Sequence, residues 1–269
     1  MTIPGKTTAG FSLRVWFDLA RAGNFPSVAS NVLAALVLAS GAAKFLAISA
    51  TPAANSVDVF VNLGVFPPVG QLALAIVAGC LIYAGGATFN DVFDATFDRT
   101  HRPERAIPRG AVTRTGAAWI AGIEMVAGIA LLVGVGGASS IFSAALAACI
   151  LAYDWIHKRW IGSVVLMAGC RVLLAFTVAS LPARIASPAF LWWVGVLFAY
   201  IVGLSLIARW EYKPDAPAAK IGRSVGRLLA FIPLIDAVAL LLVGAWIPAM
   251  ACALAVPLGR WAQRLAAST

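Results

Sequence analysis

From Pro26 onward the chain alternates long apolar runs with short polar connections, and the runs have the length of a bilayer crossing. They cover Pro26 to Ile48, Gln71 to Phe93, Gly116 to Val135, Ser139 to Trp155, Gly162 to Leu181, Phe190 to Ala208, Leu228 to Trp246 and Ile247 to Ala262. This pattern predicts an all-α, polytopic transmembrane helical bundle with eight visible spans, forming a single domain over residues 26–269. Residues 1–25 read as a cytoplasmic and interfacial N-terminal segment. Within it, Phe11, Val15, Trp16 and Leu19 alternate with Arg14, Asp18 and Arg21, a mixture suited to a helix lying in the membrane interface. The stretch Met1 to Asn24 lacks the compact apolar core of a cleaved signal peptide.

Composition reinforces this picture, because 61% of the 269 residues are hydrophobic and only 12% are charged. The net charge of +9 does not point to nucleic acid, since the basic residues collect in the connections on one side of the bundle. With the N-terminus cytoplasmic, that side holds Lys6, Arg14, Arg21, then Arg99, Arg102, Arg105, Arg109 and Arg114, then Lys158 and Arg159. It goes on to hold Arg209, Lys213, Lys220, Arg223, Arg227, Arg260 and Arg264, against Arg184 outside and Lys44 near the outer end of the first span. The expectation is an integral, multi-pass protein of a bacterial inner membrane whose chemistry faces the cytoplasm. Cys80, Cys149, Cys170 and Cys252 each fall inside an apolar run with no Cys-x-x-Cys pairing, and read as small packing residues.

One connection carries chemistry. Asn90, Asp91, Asp94 and Asp98 fall where the second run reaches the interface, and at 100° per residue Asp91, Asp94 and Asp98 lie close to one line of a helix. Aligned carboxylates repel one another unless a cation holds them, and Mg²⁺ is held by one or two carboxylates together with substrate phosphate oxygens. The arginines between Arg99 and Arg109 add guanidinium forks that pair with phosphate, so metal-binding acid and phosphate-binding base share one connection. The carboxylates are expected to face water, not the core, and His101 to be a solvated residue, not a base.

The run Asn90-Asp91-Val92-Phe93-Asp94-Ala95-Thr96-Phe97-Asp98, continued by Arg102 to Gly110, resembles the first signature of the UbiA superfamily of intramembrane prenyltransferases. The resemblance extends to Arg21, Asn24 and Asn31 and to Tyr153-Asp154 followed by Lys158, and Tyr153 to Arg171 is similar to the Ebo-type subgroup. It implies a bundle of nine spans around a central cavity opening to the cytoplasm. It also implies a Mg²⁺-dependent transfer of a polyprenyl group from an isoprenyl diphosphate donor to a lipophilic or aromatic acceptor. By the same resemblance Asp91, Asp94 and Asp98 are metal-side catalytic residues and Tyr153 borders the acceptor or the cation. Asn90, Arg102, Lys158 and Arg171 are expected to serve the diphosphate, and Glu211 and Asp215 the second metal position.

The second signature departs from the family pattern. It reads Arg209-Trp210-Glu211-Tyr212-Lys213-Pro214-Asp215, where only the pair Glu211 and Asp215 keeps the four-residue spacing and Pro214 disfavours a helix through Lys213. His157 stands in the usual lysine slot, one residue before Lys158. These departures keep two other readings open, a UbiA-like protein that binds or moves a lipid-linked intermediate without making it, and a terpene cyclase of the same family. Inside the spans, Glu124 and Arg171 lie at depths of about 15 and 13 Å by helical rise and are expected to approach one another or to share a cavity. Asp236 has no evident basic partner at its depth and is expected to be protonated or to line a wet cavity.

Overall fold

A computed structural model describes residues 12–39, 69–181, 187–210 and 218–265, and within them every regular element is helical. The nine α-helices are α1 (Leu13–Leu19), α2 (Phe25–Ala39), α3 (Val69–His101), α4 (Arg114–Ala130), α5 (Ser140–Ile156), α6 (Ser163–Ala179), α7 (Pro188–Arg209), α8 (Ala218–Leu242) and α9 (Trp246–Leu265). Helices α2 to α9 coincide with the eight apolar runs, although the part of the first run beyond Ala39 lies outside the described residues. Five of these helices are long and apolar enough to cross a bilayer, and α5 and α6 are shorter apolar helices of 17 residues each. Large apolar side chains such as Trp192 (78% exposed) and Leu242 (83% exposed) cover the outer surface. Such an apolar outer face suits lipid. The chain is an all-helical, multi-pass membrane bundle.

Helix α2 is the hub. Eleven of its fifteen residues are buried, and it packs against α3, α6, α7, α8 and α9. Helix α4 lies outside this ring against α3, at a distance set by glycine. A methyl group on Gly128 would stand 2.7 Å from the Ala78 carbonyl oxygen, and one on Gly85 would stand 2.8 Å from that of Ala121. Small residues at such crossings let two backbones approach closely, which is how helices gain packing contact in lipid.

Helix α3 has 33 residues. At helical rise that is about 50 Å, well beyond a hydrocarbon thickness of about 30 Å, so its last turns project past the apolar slab. Those turns bear the acidic motif. Around them α1 docks against the connection that follows α3, its Val15 and Leu19 clustering with Ala106, Ala111 and Val112. The chain then reverses from α1 into α2 through Arg21, the sole described non-glycine residue in the left-handed region (φ 46°). That conformation costs on the order of 1 kcal/mol or more for a residue with a Cβ and persists only where surrounding contacts over-determine it.

One expectation about buried charges is corrected and another is extended. Glu124 and Arg171 share a depth but not a direction: Glu124 accepts a hydrogen bond from the Trp16 indole of α1, whereas Arg171 turns toward α2. Helical rise fixes depth alone, and α4 and α6 present these side chains to different neighbours. Asp236 touches no basic side chain directly among the described residues, in keeping with its sequence position, but neutral donors surround it. It is fully buried and accepts from Ser30 Oγ (2.7 Å), Asn31 Nδ2 (2.8 Å) and Trp193 Nε1 (2.9 Å). Asn31 in turn accepts from Arg171 Nη1 at 2.7 Å through its own Oδ1, so one asparagine links the buried carboxylate to the buried guanidinium.

Candidate functional site

Asp91, Asp94 and Asp98 are 7%, 7% and 1% exposed, so they do not face open water as their helix-end position suggested. Basic side chains cover them. Arg105 folds back from the connection after α3 and donates from Nη1 to both Asp91 Oδ1 and Asp98 Oδ2, each at 3.0 Å. Arg21, aimed by its left-handed backbone, donates to Asp91 Oδ1 at 3.0 Å and to Asn90 Oδ1 at 3.1 Å. Burial works against the Arg21 charge, and the Asp91 carboxylate overrides it, holding the pKa above the ordinary arginine value. From the turn after α5, Lys158 Nζ reaches Asp94 Oδ1 at 2.9 Å and His157 Nε2 lies 3.3 Å from the same oxygen. Burial lowers the pKa of Lys158, and the hydrogen bond to Asp94 opposes that effect. Lys158 also sits 3.4 Å from the Phe97 ring centroid.

The same end of the bundle opens into a cavity of about 390 Å³. Asn90, Asp94, Arg102, Arg105, Lys158 and Arg21 line its charged mouth, while Tyr83, Tyr153, Met167, Ile201 and Leu204 line its interior together with Arg171. Sequence reading thus placed Asn90, Asp94, Arg102, Tyr153, Lys158 and Arg171 around one space. Asp91 and Asp98 stand behind that wall, joined to it by Arg105. Glu211 and Asp215, expected at the second metal position, lie outside the described residues. His101 is exposed and stacks on Phe97.

Three contributors were missed. Arg105 looked like one positive-inside charge among several, and its spacing from Asp98 was the available signal, since a seven-residue return can close a loop onto a helix end. Asp154, adjacent to Tyr153, accepts from Asn90 Nδ2 at 3.2 Å and so ties α5 to the motif. Arg209 binds Ser163 Oγ at 2.6 Å and the Trp160 carbonyl at 2.8 Å, which fixes the turn that presents Lys158. That last contact had no local signature.

The donor chemistry suits a hard cation. Each motif carboxylate uses one oxygen for its basic partner, Oδ1 in Asp91 and Asp94 and Oδ2 in Asp98, and the other oxygens make no hydrogen bond among the described residues. No three acidic, histidine or cysteine side chains among the described residues converge into a ready-made cage. Magnesium does not need one, because it keeps waters and takes much of its coordination from substrate phosphates.

Fold and site together define an intramembrane helical protein in which acidic and basic side chains share one cavity with aromatic and apolar ones. The family model for the UbiA prenyltransferase family matches residues 46–267, and the chain belongs to that family. Among curated proteins it is similar to the digeranylgeranylglyceryl phosphate synthase of Pyrococcus horikoshii, 31% identical over 100 residues, which is 36% of each chain. The synthase of the same name from Thermococcus gammatolerans is 48% identical over 59 residues, 22% of this chain and 21% of that one. The matched stretches thus span about a third or less of these relatives. Both relatives bear the name digeranylgeranylglyceryl phosphate synthase, and neither points specifically to the Ebo-type subgroup. A solved structure described as structural and mechanistic insights into the biosynthesis of digeranylgeranylglyceryl phosphate synthase in membranes superposes with a TM-score of 0.52, covering 94% of this chain and 95% of that one. Its 12% identity makes it evidence for the fold alone.

Proposed function

We propose that this protein is a Mg²⁺-dependent intramembrane prenyltransferase that moves a polyprenyl group from its diphosphate to a lipophilic acceptor, with the mouth of its cavity facing the cytoplasm. The observation that carries the reading is the joining of the acidic motif, Arg105, Arg21 and Lys158 at the mouth of one apolar cavity. A diphosphate head needs cations and donors. A prenyl chain needs an apolar, water-poor space, and the two lie end to end.

In the reaction the allylic carbon–oxygen bond breaks, the diphosphate departs with the bonding pair, and an acceptor atom bonds to the carbon and gives up a proton. Asp94, which lines the cavity, would hold Mg²⁺ through its unpaired oxygen with Asp91 and Asp98 behind it, and the ion would supply positive charge to the diphosphate leaving group. Lys158, Arg102 and Arg105 line the cavity and would receive phosphate oxygens. Arg105 and Arg21 meanwhile keep Asp91 and Asp98 from repelling each other. Tyr153 and Tyr83 present aromatic surface to the interior, where an electron-rich ring face stabilises positive charge and excludes water.

The product named for the relatives makes geranylgeranyl diphosphate the first donor to try. Purified protein in Mg²⁺ with this donor and a lipid acceptor mixture is expected to release pyrophosphate and form a prenylated lipid. Release that is identical in Asp94→Asn would remove the motif from the chemistry.

A further inference from the structure

Deep in the cavity wall, away from the acidic mouth, stands a cation that the prenyl-transfer reading leaves unused. Arg171 is 9% exposed, lines the cavity, and projects from α6. Its guanidinium donates to the Ser27 carbonyl (3.3 Å), to Ser27 Oγ (3.1 Å) and to Asn31 Oδ1 (2.7 Å), which uses three of its N–H groups. A guanidinium has five. Its Nε–H and one Nη2–H therefore have no partner among the described residues. Across the same cavity wall on α7, the buried Ser205 hydroxyl also has no hydrogen-bond partner among the described residues. Leaving buried donors unpaired costs roughly 1–3 kcal/mol each unless a ligand or water meets them. The Ser205 hydroxyl is orphaned in this sense, and it shares the cavity lining with Arg171, whose spare N–H groups stand on the same wall.

The charge of this network says what kind of ligand fits. Asn31 joins Arg171 to Asp236, and three donors around the Asp236 carboxylate are the surroundings of an ionised group. The guanidinium is therefore balanced by a buried carboxylate and carries no net charge to spare for an anion. A hydroxyl or carbonyl oxygen could accept from the free N–H groups of Arg171 without upsetting that balance. A hydroxyl could also donate to the unpaired Ser205 Oγ.

We propose that Arg171 and Ser205 form an interior subsite that recognises a neutral oxygen, hydroxyl or carbonyl, on the prenyl acceptor. The subsite selects acceptors by that oxygen, while diphosphate binds at the mouth. Arg171 is thus a specificity-determining residue in place of the diphosphate ligand suggested by its family resemblance. The proposal rests on the cavity being the reaction chamber, but its test needs no turnover.

Full-length protein in nanodiscs is titrated with three probes of similar shape, 4-propylphenol, propylbenzene and 4-propylbenzoate, with empty nanodiscs as reference. The phenol is expected to bind about 10-fold more tightly than propylbenzene, in keeping with a hydrogen bond to a charged group, and the benzoate to gain nothing over propylbenzene. Arg171→Met and Ser205→Ala should each lower phenol affinity at least about 3-fold and leave propylbenzene binding unchanged, which also shows that the cavity remains folded. Asp236→Asn removes the balancing charge and should make the benzoate the preferred probe. Magnesium pyrophosphate binding is measured in parallel. If Arg171→Met loses pyrophosphate affinity and keeps its preference for the phenol, Arg171 belongs to the diphosphate and the proposal falls. Equal binding of phenol and propylbenzene by the unaltered protein also overturns it. Failure of pyrophosphate to bind, with probe selectivity intact, counts against the prenyltransferase reading and leaves the subsite standing.

Discussion

Substitution of Asp236 by alanine tests whether the polar centre of the bundle is a single linked unit. The carboxylate is fully buried and takes hydrogen bonds from three side chains. Ser30 can fall back on the Ser27 carbonyl, which its hydroxyl already meets at 3.1 Å. Asn31 Nδ2 and Trp193 Nε1 have no such alternative, and each abandoned donor costs about 1–3 kcal/mol. Arg171 would in addition lose its balancing charge, so the total loss should be about 3–5 kcal/mol, the range for breaking a buried pair from one side. The assay is reversible unfolding of the purified protein in mixed micelles of mild detergent and SDS, with Trp fluorescence as the signal. Adding Arg171→Met to Asp236→Ala should recover part of the loss, giving a coupling of about 1 kcal/mol or more even though hydrogen bonds between membrane helices average less. A loss below about 1 kcal/mol, or strict additivity of the two substitutions, would refute the linkage through Asn31.

Other outcomes follow from the same geometry. Gly128→Val should destabilise the protein by roughly 1–3 kcal/mol through overpacking at α3 and α4, visible in the same unfolding assay, whereas Gly122→Ala, with open space around its Cβ position, should not. Arg105→Ala should lower pyrophosphate release at least about 10-fold, and Arg105→Lys should restore little of it, because one ammonium on a flexible stem does not reproduce the fixed fork. Removing Mg²⁺ with EDTA should abolish product formation, and adding it back should restore activity. Trp16→Phe leaves the Glu124 carboxylate without its indole donor and should loosen α1, measured as faster proteolysis between α1 and α2.

Much of the fold was legible because bilayer length and apolarity mark spans without any knowledge of partners, and α2 to α9 fall on the runs so identified. The first acidic motif was legible for a related reason: aligned carboxylates at a helix end oppose electrostatics and so demand a cause. What the sequence concealed was direction around each helix axis. Glu124 and Arg171 agreed in depth, yet one meets Trp16 of an interfacial helix and the other meets Ser27 and Asn31 of the central one. Arg105 was hidden among arginines that positive-inside topology already explained, and only the folding back of its connection selects it. Asp236 seemed partnerless because its link to Arg171 runs through an asparagine, which a search for opposite charges passes over.

The most direct test of the central claim is incubation of the purified full-length protein with Mg²⁺ and labelled allylic diphosphates of several chain lengths, following pyrophosphate release and the lipid product together. Release coupled to a prenylated lipid, and lost in Asp94→Asn while the bundle stays folded, is the predicted result. No release with any donor would contradict the account.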